Sequence, residues 1–392
     1  MSYMNEYLGR NLGPQDLENE LQILIANYNK LRSSYLFVFA SAIGKSIPGI
    51  GIDQSDYFVI HDLLRNKGEF RNLDFYLETP GGSAEAVEEI VGCLHKRFEN
   101  VSFIISGEAK SAGTIMALSG DEILMTETGS LGPIDAQIRI GRAFISAFDY
   151  MEWVNNKRED ALKNNSLNPF DAVMVAQISP GELMGVHHSL RFAEDLVVKW
   201  LPIRKFKNWN FTETAKRAVT PEMKQARATE IANELLNHAL WRSHGRSIKR
   251  DDLEQIGLKI TNIDQNMELA DLVYRIQTVC RLLFDSSTCY KIYATEQERI
   301  SKHAARPDLP LPSPQKGSPD LVEIQPTCPK CGKKHNMYAK LKDDPRIDAD
   351  FQKRGFTPFP LNAKLVCQCG FEMDLSGIKN QIEIQSRRKI IS

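Results

Sequence analysis

Two turns hold the residues whose types could do chemistry. Pro80-Gly81-Gly82-Ser83 stands between a predicted strand and a predicted helix, with Ser83 at the N-cap position. Glycines let a backbone approach a ligand closely and direct its N–H groups at that ligand. Ser111 stands at the next such junction, where the N-terminus of a helix favours a developing negative charge. Taken alone, each turn is equally typical of a structural connection, with Ser111 serving as a simple N-cap.

The elements that must position these turns alternate along the first third of the chain. Strands are predicted at 35–43, 73–77, 101–105 and 122–125, and helices at 14–33, 54–65, 84–98 and 112–118. Strands and helices that alternate at short spacing form a mostly parallel sheet with right-handed crossovers. In such sheets the strand-to-helix turns carry the chemistry. The sequence therefore predicts an α/β fold, with helices flanking the sheet.

The order of several motifs resembles that of the ClpP/crotonase superfamily. The motifs are ETPGGSAEAVEEI, GEAKSAGTIMALSGDEI and TGSLGPIDAQ, and the resemblance covers roughly residues 36–258. In layout the chain is similar to signal peptide peptidase A, and in detail it is most similar to the serine dehydrogenase proteinase family. The resemblance implies a serine peptidase with Ser111 as the nucleophile. It also implies an oxyanion hole made by the N–H groups of Gly82 and Ala112.

The general base is where the chain departs from ClpP. The position of the ClpP histidine holds Asp135, and the sequence has no histidine between His95 and His187. His244 falls close to the position of the ClpP aspartate. A triad requires a geometry rather than a chain order, so the two residues can have exchanged places. The resemblance then implies that His244 is the base and that Asp135 orients it.

Other assignments stay open at this point. His187 or His188 could supply the base, whereas His238 is expected to face elsewhere. A Ser–Lys dyad of the signal peptide peptidase A type would use Lys157 or Lys163. Asp135 could be a structural cap, and the whole fold could be a scaffold that binds acyl or peptide ligands without cleaving them.

Four of the seven cysteines cluster near the C-terminus at spacings typical of metal ligands. They are Cys328, Cys331, Cys367 and Cys369. Four thiolates at such spacing suit tetrahedral Zn²⁺, and His335 could replace one of them. The segment resembles a zinc ribbon, in which the metal would have a structural role because so short a domain has a small core. The other three cysteines are expected to be buried core residues.

These motifs divide the chain into three predicted regions. A ClpP/crotonase-like peptidase domain is predicted at 1–300, with a helical part at 144–300 that includes one long helix at 220–242. A proline-rich linker is predicted at 301–326, because six prolines disfavour a helix there. A zinc-ribbon domain is predicted at 327–392, where it would dock a substrate or a partner.

Composition narrows the class of protein further. Of 392 residues, 42% are hydrophobic and 25% charged, and the net charge is −1, which argues against a disordered chain or a strongly basic nucleic-acid binder. The sequence has no apolar run long enough for a membrane helix and no apolar signal core at its start. A cytoplasmic protein that does not act at a membrane is therefore expected. The resemblance to ClpP-fold proteins implies a homo-oligomer that acts on a protein or peptide. Nucleic acid is not favoured, although aromatic residues interleave with basic ones across 199–227.

Overall fold

Runs of apolar residues form the central sheet that the alternating pattern predicts. The computed structural model describes residues 2–66, 68–140, 143–212, 214–304, 321–386 and 388–391, and the chain divides into two units, Met1–Ala305 and Arg306–Ser392. In chain order the strands of the first unit are β1 (Tyr35–Ser41), β2 (Asn72–Glu78), β3 (Asn100–Ile105), β4 (Glu108–Ala109), β5 (Glu122–Met125), β6 (Ser130–Leu131), β7 (Gln137–Ile140), β8 (Ala143–Ser146), β9 (Thr261–Asn262), β10 (Cys289–Ala294) and β11 (Arg299–His303).

The main sheet has the order β11-β10-β1-β2-β3-β5-β9 within the described residues. From β1 to β9 neighbouring strands are parallel, whereas β10 and β11 add an antiparallel edge. Parallel strands buried on both faces are rich in apolar residues, and β1 is buried at each of its positions. The predicted α/β class, with a mostly parallel sheet and flanking helices, is confirmed.

Helices cover both faces of this sheet. They are α1 (Tyr3–Gly9), α2 (Pro14–Arg32), α3 (Gln54–Leu63), α4 (Ala84–Arg97), α5 (Ala112–Leu118), α6 (Ala147–Asn164), α7 (Pro169–Ala176), α8 (Pro180–Trp200), α9 (Pro221–Leu236), α10 (His238–Trp241), α11 (Arg250–Gln255) and α12 (Met267–Ser286). Alternate residues of β1 enter two separate cores, with Phe37 in one and Val38 in the other. The first core contains residues of α3, α4, α5, α8 and α9, and the second contains residues of α2 and α12.

The helical part predicted at 144–300 is wrong at its end. β10 and β11 lie there, and β10 pairs antiparallel with β1, so that Val38 faces Ala294. The single helix predicted at 220–242 is also wrong. It breaks at Asn237, whose backbone leaves the helical conformation and whose side chain accepts a hydrogen bond from the N–H of Leu240 to cap α10. This break turns the chain just before the histidines at 238 and 244.

The described residues of the second unit form small sheets and two helices. Its elements are β12 (Leu321–Ile324), β13 (Met337–Lys340), α13 (Pro345–Lys353), β14 (Thr357–Pro358), β15 (Lys364–Val366), β16 (Glu372–Asp374) and α14 (Ser376–Ser386). A separate apolar cluster supports it, including Met337, Phe359 and Leu375. The linker predicted at 301–326 falls mostly outside the described residues, and at its described ends β11 and β12 are strands.

The helices of the described residues were searched for one that could span a membrane. None of them is both long enough and apolar enough to do so.

Candidate functional site

The two turns singled out in the sequence lie against each other. The N–H of Thr79 donates to the carbonyl of Glu108 at 2.8 Å, and the N–H of Lys110 donates back to the carbonyl of Thr79 at 3.0 Å. Both turns follow the carboxyl ends of neighbouring parallel strands, β2 and β3. A Cβ added to Gly81 would lie 2.9 Å from the Cβ of Ser111, so only glycine permits this approach.

Ser111 has a strained backbone. Its φ is 51° and its ψ is −117°, which a non-glycine residue adopts only when its surroundings impose it. Serine nucleophiles on sharp strand-to-helix turns are exposed by such strain. Ser111 occupies the N-cap position of α5, but its side chain forms no capping hydrogen bond. The simple N-cap role is therefore not what this hydroxyl performs.

Two backbone N–H groups near Ser111 have no acceptor within the described part of the chain. They belong to Gly82 and Ala112. The segment at Ile52 explains why the N–H of Gly82 is free. The N–H of Ile52 donates to the carbonyl of Gly81 at 2.7 Å, and the carbonyl of Ile52 accepts from the N–H of Ser83 at 2.9 Å. In this parallel bridge the N–H of Gly82 points away from Ile52. Both predicted oxyanion donors are therefore available to a ligand.

A buried ion pair holds the segment at Ile52 in place. Lys291 Nζ lies 2.7 Å from Asp56 Oδ2 and donates to the carbonyl of Gly51 at 2.7 Å, and both side chains are fully buried. Burial lowers the pKa of Lys291, while Asp56 opposes this shift. Asp56 also accepts from the N–H of Asp53 at the start of α3. The sequence analysis missed this pair, because 235 residues separate its members.

Asp135 and His244 meet as the sequence analysis predicted. Leu131 and Ile248 form an antiparallel bridge that brings their segments together. His244 Nδ1 lies 2.8 Å from Asp135 Oδ1, and the aspartate side chain is completely buried. Burial would raise the pKa of the Asp135 carboxyl, but the hydrogen bond and the charge of His244 hold it below its ordinary value. This contact therefore stabilises the fold above about pH 4 and loses that effect as the pH falls through the folded-state pKa.

His238 also contacts Asp135, so the expectation that it faces elsewhere is wrong. His238 Nδ1 lies 3.0 Å from Asp135 Oδ2, and its Nε2 lies 3.4 Å from Asp149 Oδ2. Each oxygen of the buried Asp135 carboxylate therefore contacts a different histidine ring. The break at Asn237 explains the error, because a continuous helix would carry the two histidines to different faces.

Ser111 and His244 line one cleft of about 650 Å³. Gly82, Ala112, Ile115 and His188 also line it. Among the described residues no hydrogen bond joins the Ser111 hydroxyl to His244, and catalytic contacts of this kind are often longer without a substrate.

The alternative bases are distributed differently. His188 lines the cleft with Ser111, whereas His187 lines a separate hollow. Lys157 Nζ is 3.0 Å from Asp171, and Lys163 Nζ is 3.6 Å from Glu159. Neither lysine is part of the cleft lining, so a Ser–Lys dyad gains no support from the structure.

Lys110, the residue before Ser111, has a buried amine that the sequence analysis did not single out. Its Nζ donates to the carbonyls of Leu131 and Arg246 at 3.0 and 3.2 Å, and to the hydroxyl of Ser247 at 2.9 Å. Burial lowers its pKa to about 8. These contacts tie the segment that carries His244 to the strand before Asp135, and thus hold the two halves of the site together.

The four C-terminal cysteines converge and could hold a metal ion. Their sulfur atoms all lie within 4.8 Å of one another. Cys328 and Cys369 are 3.7 Å apart and Cys331 and Cys367 are 3.6 Å apart, close to the roughly 3.8 Å between sulfurs that surround one Zn²⁺ at about 2.3 Å. His335 lies beside the cluster, with Nε2 3.3 Å from the sulfur of Cys367. The donor set therefore fits zinc without the histidine.

Ser111, at the strand-to-helix turn before α5, lines a cleft beside the parallel sheet. Residues 47–175 match the family described as ClpP-like SDH-type serine proteinase. The match confirms the predicted family resemblance over that segment. It contains Gly82, Ser111, Ala112 and Asp135, whereas His244 lies beyond it.

Relatives and similar structures cover other shares of the chain. Two uncharacterised proteins of Methanocaldococcus jannaschii are 39% identical over 75 residues and 30% identical over 124 residues. These matches take in 19% and 30% of this chain, but only 26% and 43% of the relatives. Two variants of the 1510-N membrane-bound stomatin-specific protease, one in complex with a substrate peptide, have TM-scores of 0.33 and 0.32, at 14% and 16% identity. They cover 57% and 56% of this chain and 79% and 74% of their own.

Proposed function

We propose that this protein hydrolyses peptide bonds through a Ser–His–Asp triad in which the histidine follows the aspartate along the chain. Ser111 is the nucleophile, His244 the general base and Asp135 the residue that orients it. The observation that carries the proposal is the 2.8 Å contact between His244 Nδ1 and the buried Asp135, beside a cleft that His244 shares with Ser111. A protein that only bound its ligand would not need a buried carboxylate to orient a histidine in that cleft.

The chemistry follows from that contact. Because Asp135 accepts a hydrogen bond from Nδ1–H, the Nε2 atom of His244 keeps its lone pair. Nε2 takes the proton of the Ser111 hydroxyl as the oxygen attacks the substrate carbonyl carbon. When the C–N bond breaks, the same proton passes to the leaving amine. Water then attacks the acyl-enzyme in the same way, and this releases the acid and restores the serine.

The free N–H groups of Gly82 and Ala112 receive the oxyanion of each tetrahedral intermediate. Backbone donors of this kind act through preorganisation, since they do not have to reorient as charge develops. Ile52 fixes Gly82, and the buried Lys291–Asp56 pair fixes the segment of Ile52. A cytoplasmic location and assembly into a homo-oligomer stay predictions.

Asp135→Asn tests the orienting role directly. We expect the rate constant for hydrolysis of a quenched fluorescent peptide to fall by about four orders of magnitude, because the amide no longer selects the productive tautomer of His244. The matched control is Asp149→Asn, which removes an exposed carboxylate from the far side of His238. We expect that variant to keep its activity within about threefold.

A small effect of Asp135→Asn would contradict the proposal. If the substituted protein keeps its circular dichroism spectrum and loses less than about tenfold in rate, Asp135 is a structural residue. The base would then have to act without it, and His188 would be the candidate in the cleft.

We also propose that the C-terminal unit binds one structural Zn²⁺ through Cys328, Cys331, Cys367 and Cys369. The sulfur–sulfur distances support this assignment. When bound, the metal would supply cross-links to a unit whose apolar core is small. The zinc-bearing unit would dock a substrate or a partner, as the sequence analysis expects.

Metal analysis of the whole purified chain tests the zinc site. We expect one zinc per chain, and Cys331→Ser/His335→Ala should lose it, because three thiolates without the neighbouring imidazole leave the tetrahedron incomplete. Cys93→Ser removes a buried cysteine of the other unit and should retain the metal. A full zinc complement in Cys331→Ser/His335→Ala, or none in the unaltered protein prepared with zinc, would refute the assignment.

A further inference from the structure

A second hollow lies in the first unit and has no part in the triad. It has a volume of about 720 Å³, within the range of pockets that hold small molecules. We call it the basic hollow and define it by Lys205, Trp209, Phe211, Arg227, Glu254 and Lys259. Three of these side chains carry positive charge and one carries negative charge. It includes part of the basic and aromatic stretch that the sequence analysis noted at 199–227.

In the described part of the chain, the two lysines of the basic hollow form no ion pair with a carboxylate, although Glu122 and Asp121 act on Lys205 from a greater distance. Burial, together with the charge of Lys259, lowers the pKa of Lys205 to about 8. Two like charges that face one cavity favour an anion between them.

The third cation is held rigidly. Arg227 Nη2 donates to the carbonyl of Ile256 at 2.9 Å, and Nη1 lies 2.5 Å from Glu230. A Cβ on Gly257 would fall 1.8 Å from the guanidinium, so Arg227 lies directly against the backbone at that glycine. The acidic member, Glu254, reaches Arg250 at 3.9 Å. Arg227 is therefore held in place with its charge compensated by Glu230, and the positive charge left for a ligand comes from Lys205 and Lys259.

Aromatic rings also line the basic hollow. Trp209 is half-buried and packs edge-on against Phe206, with ring centroids 5.6 Å apart. Phe211 is 63% exposed. A flat base can stack on such rings, and the neighbouring cations bind a phosphate.

We propose that the basic hollow binds a nucleoside phosphate, with its phosphate at Lys205 and Lys259 and its base against Trp209 or Phe211. A phosphate alone would leave the aromatic rings exposed. An apolar ligand alone would leave the two amines without a counterion. The ligand could be a free nucleotide or one residue of a single strand, because both present the same chemistry. The site is independent of the proposed triad, whose residues lie in the other cleft.

Calorimetric titration of the full chain with adenosine monophosphate tests this site. We expect saturable binding that is at least about tenfold tighter than that of adenosine or inorganic phosphate. Lys259→Gln alters an exposed side chain and should weaken binding at least about tenfold, and Phe211→Ala should weaken it by a similar factor. Lys199→Gln, which removes a lysine paired with Glu88, should leave the affinity within about twofold.

Several outcomes would overturn the proposal. These are no binding at about 5 mM ligand, equal affinity in Lys259→Gln and the unaltered protein, or adenosine or phosphate binding as tightly as the nucleotide. A single-stranded oligonucleotide that binds far more tightly, and still depends on Lys259, supports the ligand chemistry and identifies a strand as its source. Labelling of Ser111 by a fluorophosphonate should be unaffected by Lys259→Gln, so failure of this site and failure of the triad are distinguishable.

Discussion

Ser111→Ala is expected to reduce the rate constant for peptide hydrolysis by roughly five to six orders of magnitude. The substitution removes the oxygen that attacks the carbonyl, and the neighbouring hydroxyl of Ser83 is engaged in capping α4. The oxyanion donors and the cleft stay in place, so substrate binding should change little. Release of fluorescence from a quenched peptide library measures the rate, and titration of the inactive protein measures binding.

Ser111→Gly is the control for this substitution, because glycine relieves the backbone strain at position 111. Ser111→Gly also removes the hydroxyl, but glycine adopts a φ of 51° without cost, so the midpoint of thermal unfolding should rise. A folded, more stable and equally inactive protein would assign the loss to the missing oxygen. Hydrolysis within about tenfold of the unaltered rate in either variant would contradict the assignment.

His244→Gln is expected to be almost as damaging as loss of the serine. Residues that act as one unit fail together, so the double variant Ser111→Ala/His244→Gln should be no slower than either single variant. His238→Gln supplies the matched control, because it removes the other imidazole from the same carboxylate. We expect His238→Gln to lower the rate by about tenfold, because it removes one hydrogen bond to a charged group.

A different ranking of the rates of these histidine variants would contradict the assignment of His244 as the base. If His188→Gln abolishes hydrolysis while His244→Gln leaves it nearly intact, the base lies on α8 and the exchange of histidine and aspartate along the chain is wrong. If His238→Gln is as harmful as His244→Gln, the two imidazoles act together through Asp135. The rate of reaction with a fluorophosphonate separates these cases without a known substrate.

The parts of the site that the sequence predicts are those with local signals. Gly81 and Gly82 stand at a strand-to-helix turn, and one helix and two short strands separate them from Ser111. Asp135 and His244 are predicted by a resemblance of motifs rather than by any local pattern. The backbone bridge between Leu131 and Ile248 brings their segments together, and it has no signature in the residues that form it.

The residues that the sequence analysis missed depend on contacts between distant segments. Lys291 and Asp56 pair across 235 positions, and each alone is an ordinary charged residue. Nothing in the sequence around Lys110 indicates that the fold buries its amine. His238 was misplaced because the apolar spacing of 220–242 is helical, whereas capping by Asn237 decides where the helix stops.

Peptide mapping of the adduct formed with a fluorophosphonate probes the nucleophile most directly. In the folded, unaltered chain we predict a single adduct on Ser111. The same adduct should form much more slowly in His244→Gln than in His238→Gln. An adduct on any other residue, or none at all in protein that keeps its fold, would show that the hydroxyl at 111 is not activated by the imidazole at 244.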